Sequence, residues 1–342
     1  MRKIRVLVVE DSLMFRDLLV KNLNADPGIE VIATANDPFE ARDAIIEYKP
    51  DVMTLDIELP RMNGIDFLRK LMPQYPLPVV VISSLSDKVF DAMNAGAVDF
   101  VAKPMKATRE QLDTFMKNDL AVKIKIASIA KLGSWKKIPL EMPSQPLAGN
   151  LTDKIIAIGA STGGTEAIET VIKEFRSDIP GVVVVQHMPP GFTEMYANRL
   201  NEQCNVRVKE AKTGDIVQSG QVLIAPGGDA HMQVVKINGN YQVVIRKAPK
   251  VNGHCPSVDV LFQSVAKAAG KNALGIILTG MGGDGAKGLL AMRNAGARTI
   301  GQDESTCVVY GMPKVAYDIK AVEFQEKLPD IAKRTYAILS KM

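Results

Sequence analysis

The sequence predicts an α/β fold in two doubly wound units, and three observations lead to that class. First, 342 residues suffice for two domains at about 100–200 residues each, both large enough to bury a core. Second, short apolar runs alternate with helical patterns in both halves of the chain, the signature of parallel sheets flanked by helices. Third, polar or glycine-rich turns follow these runs, where the functional groups of such sheets belong.

Taken in order, the apolar runs of the first half are Val6–Val9, Val31–Thr34, Val52–Leu55, Val79–Ile82 and Phe100-Val101. They predict a five-stranded, doubly wound parallel domain over residues 1–127. From 128 to 150 the pattern breaks into Gly133-Ser134-Trp135 and a stretch with Pro139, Pro143, Pro146 and Gly149, which reads as an interdomain linker with a lone anchoring Trp135. Residues 151–342 start a second series with strands at Ile155–Ile158, Val182–Val185 and Ala273–Leu278. Asn238-Gly239 between apolar runs is a hairpin signal, so a mostly parallel but mixed sheet is expected there.

Composition narrows the function classes. Residues 1–127 carry 17 basic and 19 acidic side chains and residues 151–342 carry 22 and 18. Aromatics are 5% of the chain. Nucleic-acid binding would call for a basic stripe interleaved with aromatics, so no nucleic-acid partner is expected. Cys204, Cys255 and Cys307 are odd in number and include no CxxC pair, which argues against a disulfide framework and a zinc knuckle. The apolar run at the N-terminus ends at Glu10-Asp11, too short for a signal peptide. No stretch approaches the roughly 20 apolar residues of a membrane span. A cytoplasmic monomer without membrane insertion is the expectation.

Five polar groups fall at strand ends of the first domain: Glu10 and Asp11, Asp56, Ser83, and Lys103. Three clustered carboxylates repel one another unless a cation neutralises them, and hard oxygen donors suit Mg²⁺. Lys103 and the Ser83 hydroxyl would meet the oxygens of a phosphoryl group placed on one carboxylate. Any one such acid commonly just caps a helix, but five compatible groups in order point to a site. Over about residues 3–125 the chain resembles response-regulator receiver domains, through Val8-Val9-Glu10-Asp11-Ser12, Asp56-Ile57-Glu58-Leu59-Pro60-Arg61-Met62-Asn63-Gly64 and Val101-Ala102-Lys103-Pro104. The resemblance implies Asp56 as phosphoacceptor, Mg²⁺ on Glu10 and Asp11 with the Ile57 carbonyl, and Ser83 with Phe100 as the switch pair. Many receivers carry two aspartates where this chain has Glu10-Asp11.

In the second half, Ile155–Ile158 runs into Gly159-Ala160-Ser161-Thr162-Gly163-Gly164 and then a helical pattern. Strand, tight turn and helix around Gly-x-Ser-x-Gly expose a serine at a helix N-terminus, although a glycine-rich turn with a capping serine looks the same. Among His187, His231 and His254, His187 shares the strand-end position of Ser161 and is the favoured base, with His231 second. Asp284, in Leu278-Thr279-Gly280-Met281-Gly282-Gly283-Asp284-Gly285, lies past another strand and suits the orienting acid. That glycine-rich loop presents amides for an oxyanion or, equally, a phosphate. A nucleophilic Cys255 paired with His254 is disfavoured, since chain neighbours rarely face each other; a half-buried thiol is expected.

The order Ser, His, Asp differs from that of α/β hydrolases. Over about residues 153–340 the chain resembles the catalytic domain of chemotaxis protein-glutamate methylesterases. The resemblance rests on Ile158–Gly164, Gln186-His187-Met188-Pro189-Pro190-Gly191-Phe192-Thr193, Ala225-Pro226-Gly227-Gly228, Pro256-Ser257-Val258-Asp259-Val260-Leu261-Phe262 and Leu278–Gly285. It implies Ser161 as nucleophile, His187 as base and acid, Asp284 as orienting carboxylate, the Met281 amide in the oxyanion hole, and Thr162 supporting the histidine. Cys255 stands where the family usually has arginine.

Together the resemblances imply a phosphorylation-activated serine esterase acting on glutamate γ-methyl esters of chemoreceptor cytoplasmic helices, and deamidating receptor glutamines. A chemotaxis histidine kinase would be the phosphoryl donor, and the receiver would control access to the catalytic mouth. Mg²⁺ is expected in the receiver, with no cofactor for the esterase. Two rivals are a non-enzymatic phosphorelay adaptor with a degenerate second domain, and a dinucleotide-binding oxidoreductase resting on Gly159, Gly163 and Gly164 alone.

Overall fold

A computed structural model describes residues 2–84, 88–104, 108–132 and 151–342. The chain divides into two compact units, Met1–Leu132 and Gly133–Met342. Residues 133–150 of the expected linker, Trp135 included, lie outside the described residues.

The first unit runs β1 (Ile4–Val9), α1 (Leu13–Asn24), β2 (Ile29–Ala35), α2 (Pro38–Tyr48), β3 (Val52–Asp56), α3 (Gly64–Leu71), β4 (Val79–Ser83), α4 (Lys88–Asn94), β5 (Asp99–Ala102) and α5 (Arg109–Thr114). A π-helical stretch Phe115–Leu120 then leads into α6 (Ala121–Ala127). Strand order is β2-β1-β3-β4-β5, every pairing parallel. The continuous Val/Ile/Leu runs follow from burial on both faces: Val6, Leu7, Val8, Val79, Val80 and Val81 are all fully buried. Short polar side chains start the helices. Ser12, Asp37 and Asn63 accept from amides of the first turns of α1, α2 and α3, each such cap contributing about 1 kcal/mol.

The second unit comprises β6 (Ile155–Ala160), α7 (Gly164–Lys173), β7 (Gly181–Gln186), α8 (Phe192–Gln203), β8 (Arg207–Glu210), β9 (Gln221–Ile224), β10 (Ala230–Ile237), β11 (Asn240–Lys247) and α9 (Val258–Ala269). There follow β12 (Ala273–Ile277), α10 (Ala286–Asn294), β13 (Arg298–Gln302), α11 (Met312–Asp318), β14 (Phe324–Glu326) and α12 (Ile331–Leu339). Seven strands form one sheet in the order β14-β13-β12-β6-β7-β9-β8. The α/β, doubly wound class stands, but the expected mixing does not arise within this sheet, whose pairings are all parallel. The Asn238-Gly239 hairpin forms as expected, with Asn238 at φ 49° and Gly239 at φ 84°, the conformations a two-residue turn needs. Its strands, β10 and β11, make a separate antiparallel pair. Met232, Val234, Tyr241 and Val243 bury the hairpin's apolar face in the core that also holds Leu261, Phe262 and Val265 of α9. An alternating pattern marks a hairpin but not the layer it joins, which explains the departure.

Strand β6 lies at the centre of the seven, and α9 presses on it. A Cβ at Gly159 would sit 2.1 Å from Val258 Cγ1, and a β-branched side chain in a helix has almost no rotamer freedom with which to yield. Gly159→Ala is expected to destabilise the second unit by about 1–3 kcal/mol through overpacking. Denaturant unfolding of the full chain reads this as a lower midpoint; an unchanged midpoint would mean that α9 and β6 are not packed this closely.

Candidate active site and acidic pocket

In the second unit the parallel register does the assembling. Ala160 of β6 pairs with Gln186 of β7, so Ser161 and His187, each one residue beyond that pair, emerge side by side; His187 N donates to Ala160 O at 3.1 Å. On the other flank Gly159 pairs with Ile277 of β12, and Ser161 N donates to Thr279 O at 3.0 Å. The serine is thus held between the turn after β7 and the loop after β12. Gln186 Nε2 ties the turns together, donating to Ser161 O at 2.9 Å and His187 O at 3.2 Å.

The turn after β6 demands small residues. Gly163 has φ 75°, and a Cβ at Gly164 would lie 2.1 Å from Gln186 Oε1. Gly280 approaches from the facing loop so closely that a Cβ there would stand 2.7 Å from Ser161 Cβ. Gly280 O accepts from Gly311 N at 3.1 Å and Met312 N at 2.8 Å. Because the peptide unit is planar and trans, fixing that carbonyl also fixes the direction of the Met281 N–H opposite to it. Thr162 is buried at the start of the turn, and its carbonyl accepts from Thr279 Oγ1 at 3.0 Å.

Asp284, 1% exposed, is surrounded by donors. His187 Nε2 lies 2.9 Å from Oδ2, and beside a carboxylate that nitrogen carries the ring proton. Val258 N donates to Oδ2 at 2.7 Å, Ser257 Oγ and Asn252 Nδ2 each to Oδ1 at 2.8 Å, and Asp259 N to Oδ1 at 3.3 Å. Burial pushes the Asp284 carboxyl up, but the bond and charge of His187 with the bonds from Asn252 and Ser257 outweigh it and hold the group well below the usual carboxylate range. The amides of Val258 and Asp259 add the positive end of the α9 dipole. With Nε2 committed, the other ring nitrogen of His187, Nδ1, is buried with no hydrogen-bond partner among the described residues. A neutral imidazole of this tautomer has its lone pair on that atom.

The remaining histidines divide. His231, the second choice for a base, is 2% exposed and fully engaged: Nε2 meets Pro249 O at 3.0 Å, and Nδ1 accepts from Ser257 N at 3.0 Å. It supports the residue that starts α9. His254 stacks on His187, ring centroids 3.8 Å apart and planes 11° from parallel. Cys255 is half-buried, and burial with the nearby Asp229 pushes its thiol up, so it stays protonated. Among residues that sequence reasoning left without a role, Ser257 had a visible signal, a serine preceding the apolar pattern of α9. Asn252 and Gln186 had none.

In the first unit, Glu10, Asp11 and Asp56 place ligand oxygens within 4.8 Å of one another. Lys103 Nζ bridges two of the three, 2.9 Å from Glu10 Oε2 and 2.8 Å from Asp56 Oδ2. Burial raises the Glu10 carboxyl above its usual range, with the charge of Asp56 adding to the effect against Lys103. Burial works against the Lys103 ammonium, but Asp56 and Glu10 hold it charged. An all-oxygen donor set with an open, exposed member in Asp11 fits a hard divalent cation. The Ile57 carbonyl is turned away from such a role: it accepts from Gly64 N at 2.9 Å and Leu59 N at 3.2 Å, which uses both lone pairs inside its own loop. Ser83, buried at the end of β4, accepts at its carbonyl from Lys103 N at 2.6 Å. Phe100 is buried edge-on to Phe90, centroids 6.3 Å apart. No helix among the described residues is long and apolar enough to cross a membrane.

Residues 156–335 match the CheB methylesterase family and residues 6–114 the response regulator receiver domain. A protein-glutamate methylesterase/protein-glutamine glutaminase 2 of Syntrophomonas wolfei is 59% identical over 342 residues, covering 100% of this chain and 99% of that one. The protein-glutamate methylesterase/protein-glutamine glutaminase of Syntrophotalea carbinolica is 53% identical over 99% of both chains. The solved Thermotoga maritima CheB methylesterase catalytic domain superposes with a TM-score of 0.53 at 37% identity, over 54% of this chain and 98% of that one. With full-length likeness added to the Ser161, His187 and Asp284 strand-end arrangement, the chain belongs to the CheB methylesterase family and carries an N-terminal response-regulator receiver domain.

Proposed function

We propose that the protein hydrolyses γ-methyl esters of glutamate side chains on chemoreceptor cytoplasmic helices, deamidates receptor glutamines by the same route, and is switched by phosphorylation at Asp56. The observation that carries the chemistry is the Asp284–His187 pair: one ring nitrogen held at 2.9 Å by a buried carboxylate, the other buried without a partner beside the strand end that bears Ser161.

In this reading Ser161 Oγ attacks the ester carbonyl carbon while its proton passes to His187 Nδ1. Asp284, already ionised, stabilises the imidazolium without taking the proton. The oxyanion of the tetrahedral intermediate faces the Met281 N–H, and Thr162, buried at the base of the turn, supports the histidine side of the site. Collapse breaks the C–O bond, and the methoxide leaves as methanol with the proton from His187. Water then attacks the acyl-enzyme, gives a proton to His187, and leaves glutamate and free Ser161. With glutamine the leaving group is ammonia. The Asp284 arrangement and full-length likeness to named methylesterases support this reading over a binding-only adaptor.

For the receiver, Glu10, Asp11 and Asp56 would hold Mg²⁺, which when bound neutralises charge on an incoming phosphoryl group. A histidine kinase of the chemotaxis system would donate that group to Asp56. Lys103 then exchanges its bond to the Asp56 carboxylate for the phosphoryl oxygens, and Ser83 with Phe100 relays the change. The whole reaction is placed in the cytoplasm, in a monomer with domains 1–127 and 151–342.

A fluorophosphonate probe should label the wild-type chain and leave Ser161→Ala unlabelled; an unlabelled wild type would favour the adaptor. Asp284→Asn should slow methanol release from methylated receptor fragments by about four orders of magnitude, since the histidine loses its orienting charge. The same substitution should lower stability near neutrality. Because the folded carboxyl titrates below its ordinary 3.8, its stabilisation is complete above that pH and lost below it. The gap in unfolding midpoint between wild type and variant should therefore shrink in acid; a constant gap would show that the charge of Asp284 does not stabilise the fold. A small phosphoryl donor with Mg²⁺ should raise turnover of the wild type and leave Asp56→Ala unmoved, whereas equal rates in all samples would remove the switch.

A further inference from the structure

The turn Val251–His254 stands apart from the three side chains assigned to the chemistry, yet it touches two of them. Val251 and His254 exchange backbone hydrogen bonds of 3.0 and 2.9 Å, and Asn252 at φ 53° with Gly253 at φ 82° closes the loop in the way a type I′ turn requires. Three residues further, Ser257 caps α9 and is tied to His231, so the turn is anchored to a rigid helix end.

From this turn two side chains reach the Asp284–His187 pair. Asn252 Nδ2 donates at 2.8 Å to Asp284 Oδ1 and at 2.8 Å to Asp259 Oδ2, bridging the carboxylates. The His254 ring lies flat on His187, centroids 3.8 Å apart and planes at 11°. A histidine held through one nitrogen keeps a soft motion, since rotation about the bond to its ring is broad and poorly quantised. A single hydrogen bond to Asp284 limits where Nε2 sits, but only loosely limits the tilt that aims Nδ1. A plate against the ring face limits that tilt.

We propose that His254 is a positioning residue for His187: its stacked ring sets the plane in which Nδ1 presents its lone pair to Ser161, while Asn252 of the same turn holds the Asp284 end of the pair. This inference rests on the esterase reading above. The contact acts through shape, so a flat ring without nitrogens does the same work, and an aliphatic side chain of similar volume does not.

The test uses the full-length chain, with methanol release from methylated receptor fragments and the rate of fluorophosphonate labelling at Ser161 as paired readouts. His254→Ala should lower kcat and the labelling rate about 10- to 100-fold, the scale expected of a misaimed reacting group, with KM within about two-fold of wild type because no substrate contact is lost. His254→Phe should recover most of both rates, and His254→Leu should behave like His254→Ala. Wild-type rates in His254→Ala would overturn the proposal. So would a His254→Phe variant as slow as His254→Leu while both unfold at the wild-type midpoint. If His254→Ala does not fold, the Phe and Leu pair decides alone. Absence of labelling in the wild type is a different result, which removes the esterase reading itself and this inference with it.

Discussion

A single buried carboxylate organises the second unit's site. Removing Asp284 from water is costly for an anion, and the structure compensates with donors from every side: the His187 ring, Ser257 Oγ, Asn252 Nδ2 and the first amides of α9. These donors come from three stretches of chain, and Asp284 itself from a fourth. Satisfying one charge therefore fixes the turn after β7, the turn at residues 251–254, the start of α9 and the loop after β12 relative to one another. The order of cause is electrostatic first and catalytic second, because a group that must be surrounded in order to be buried also locks whatever surrounds it.

That arrangement works only because the sheet delivers the parts in register. In a parallel sheet the strands end on the same edge, so neighbours in the ladder stay neighbours in the turns. Ala160 opposite Gln186 and Gly159 opposite Ile277 leave Ser161 between His187 and Thr279. Glycine then closes the remaining distance. At Gly280 and Gly164 a single added carbon would intrude on Ser161 or Gln186, so the close approach of the two turns requires the absence of side chains there.

Much of this was legible in the sequence, for a physical reason. The strands that frame both sites are buried on both faces, and such strands read as unbroken apolar runs, as at Val79–Ile82 and Val182–Val185. The turns that follow them advertise themselves through glycine and acid. What escaped reading was mostly exposed, short or non-local. Strands β8, β13 and β14 are four, five and three residues long and carry polar residues, so no run marks them. The hairpin was visible, but not its separation from the large sheet, which depends on what α9 covers. Asn252 gains its importance from partners 7 and 32 residues away, and no local pattern encodes that. The Ile57 carbonyl was placed by resemblance, and only the loop geometry shows its lone pairs already taken by Leu59 and Gly64.

The two units apply the same strand-end rule with opposite electrostatics, and the difference suits their proposed tasks. Around Asp284 fixed N–H and O–H donors converge on one charge and hold the carboxylate ionised. Around Asp56 two of three clustered acids, Glu10 and Asp56, share one ammonium, Lys103, while Asp11 stands open to water, an arrangement with negative charge left over. Such a cluster responds to an added cation or phosphoryl group by redistributing its contacts, because Lys103 has three donors and several acceptors competing for them. A site that must hold a proton path steady has its charge saturated by fixed partners. A site that must register a chemical change has its charge undersaturated and bridged by one long, flexible side chain, so that replacing a carboxylate oxygen with a phosphoryl oxygen moves the bridge.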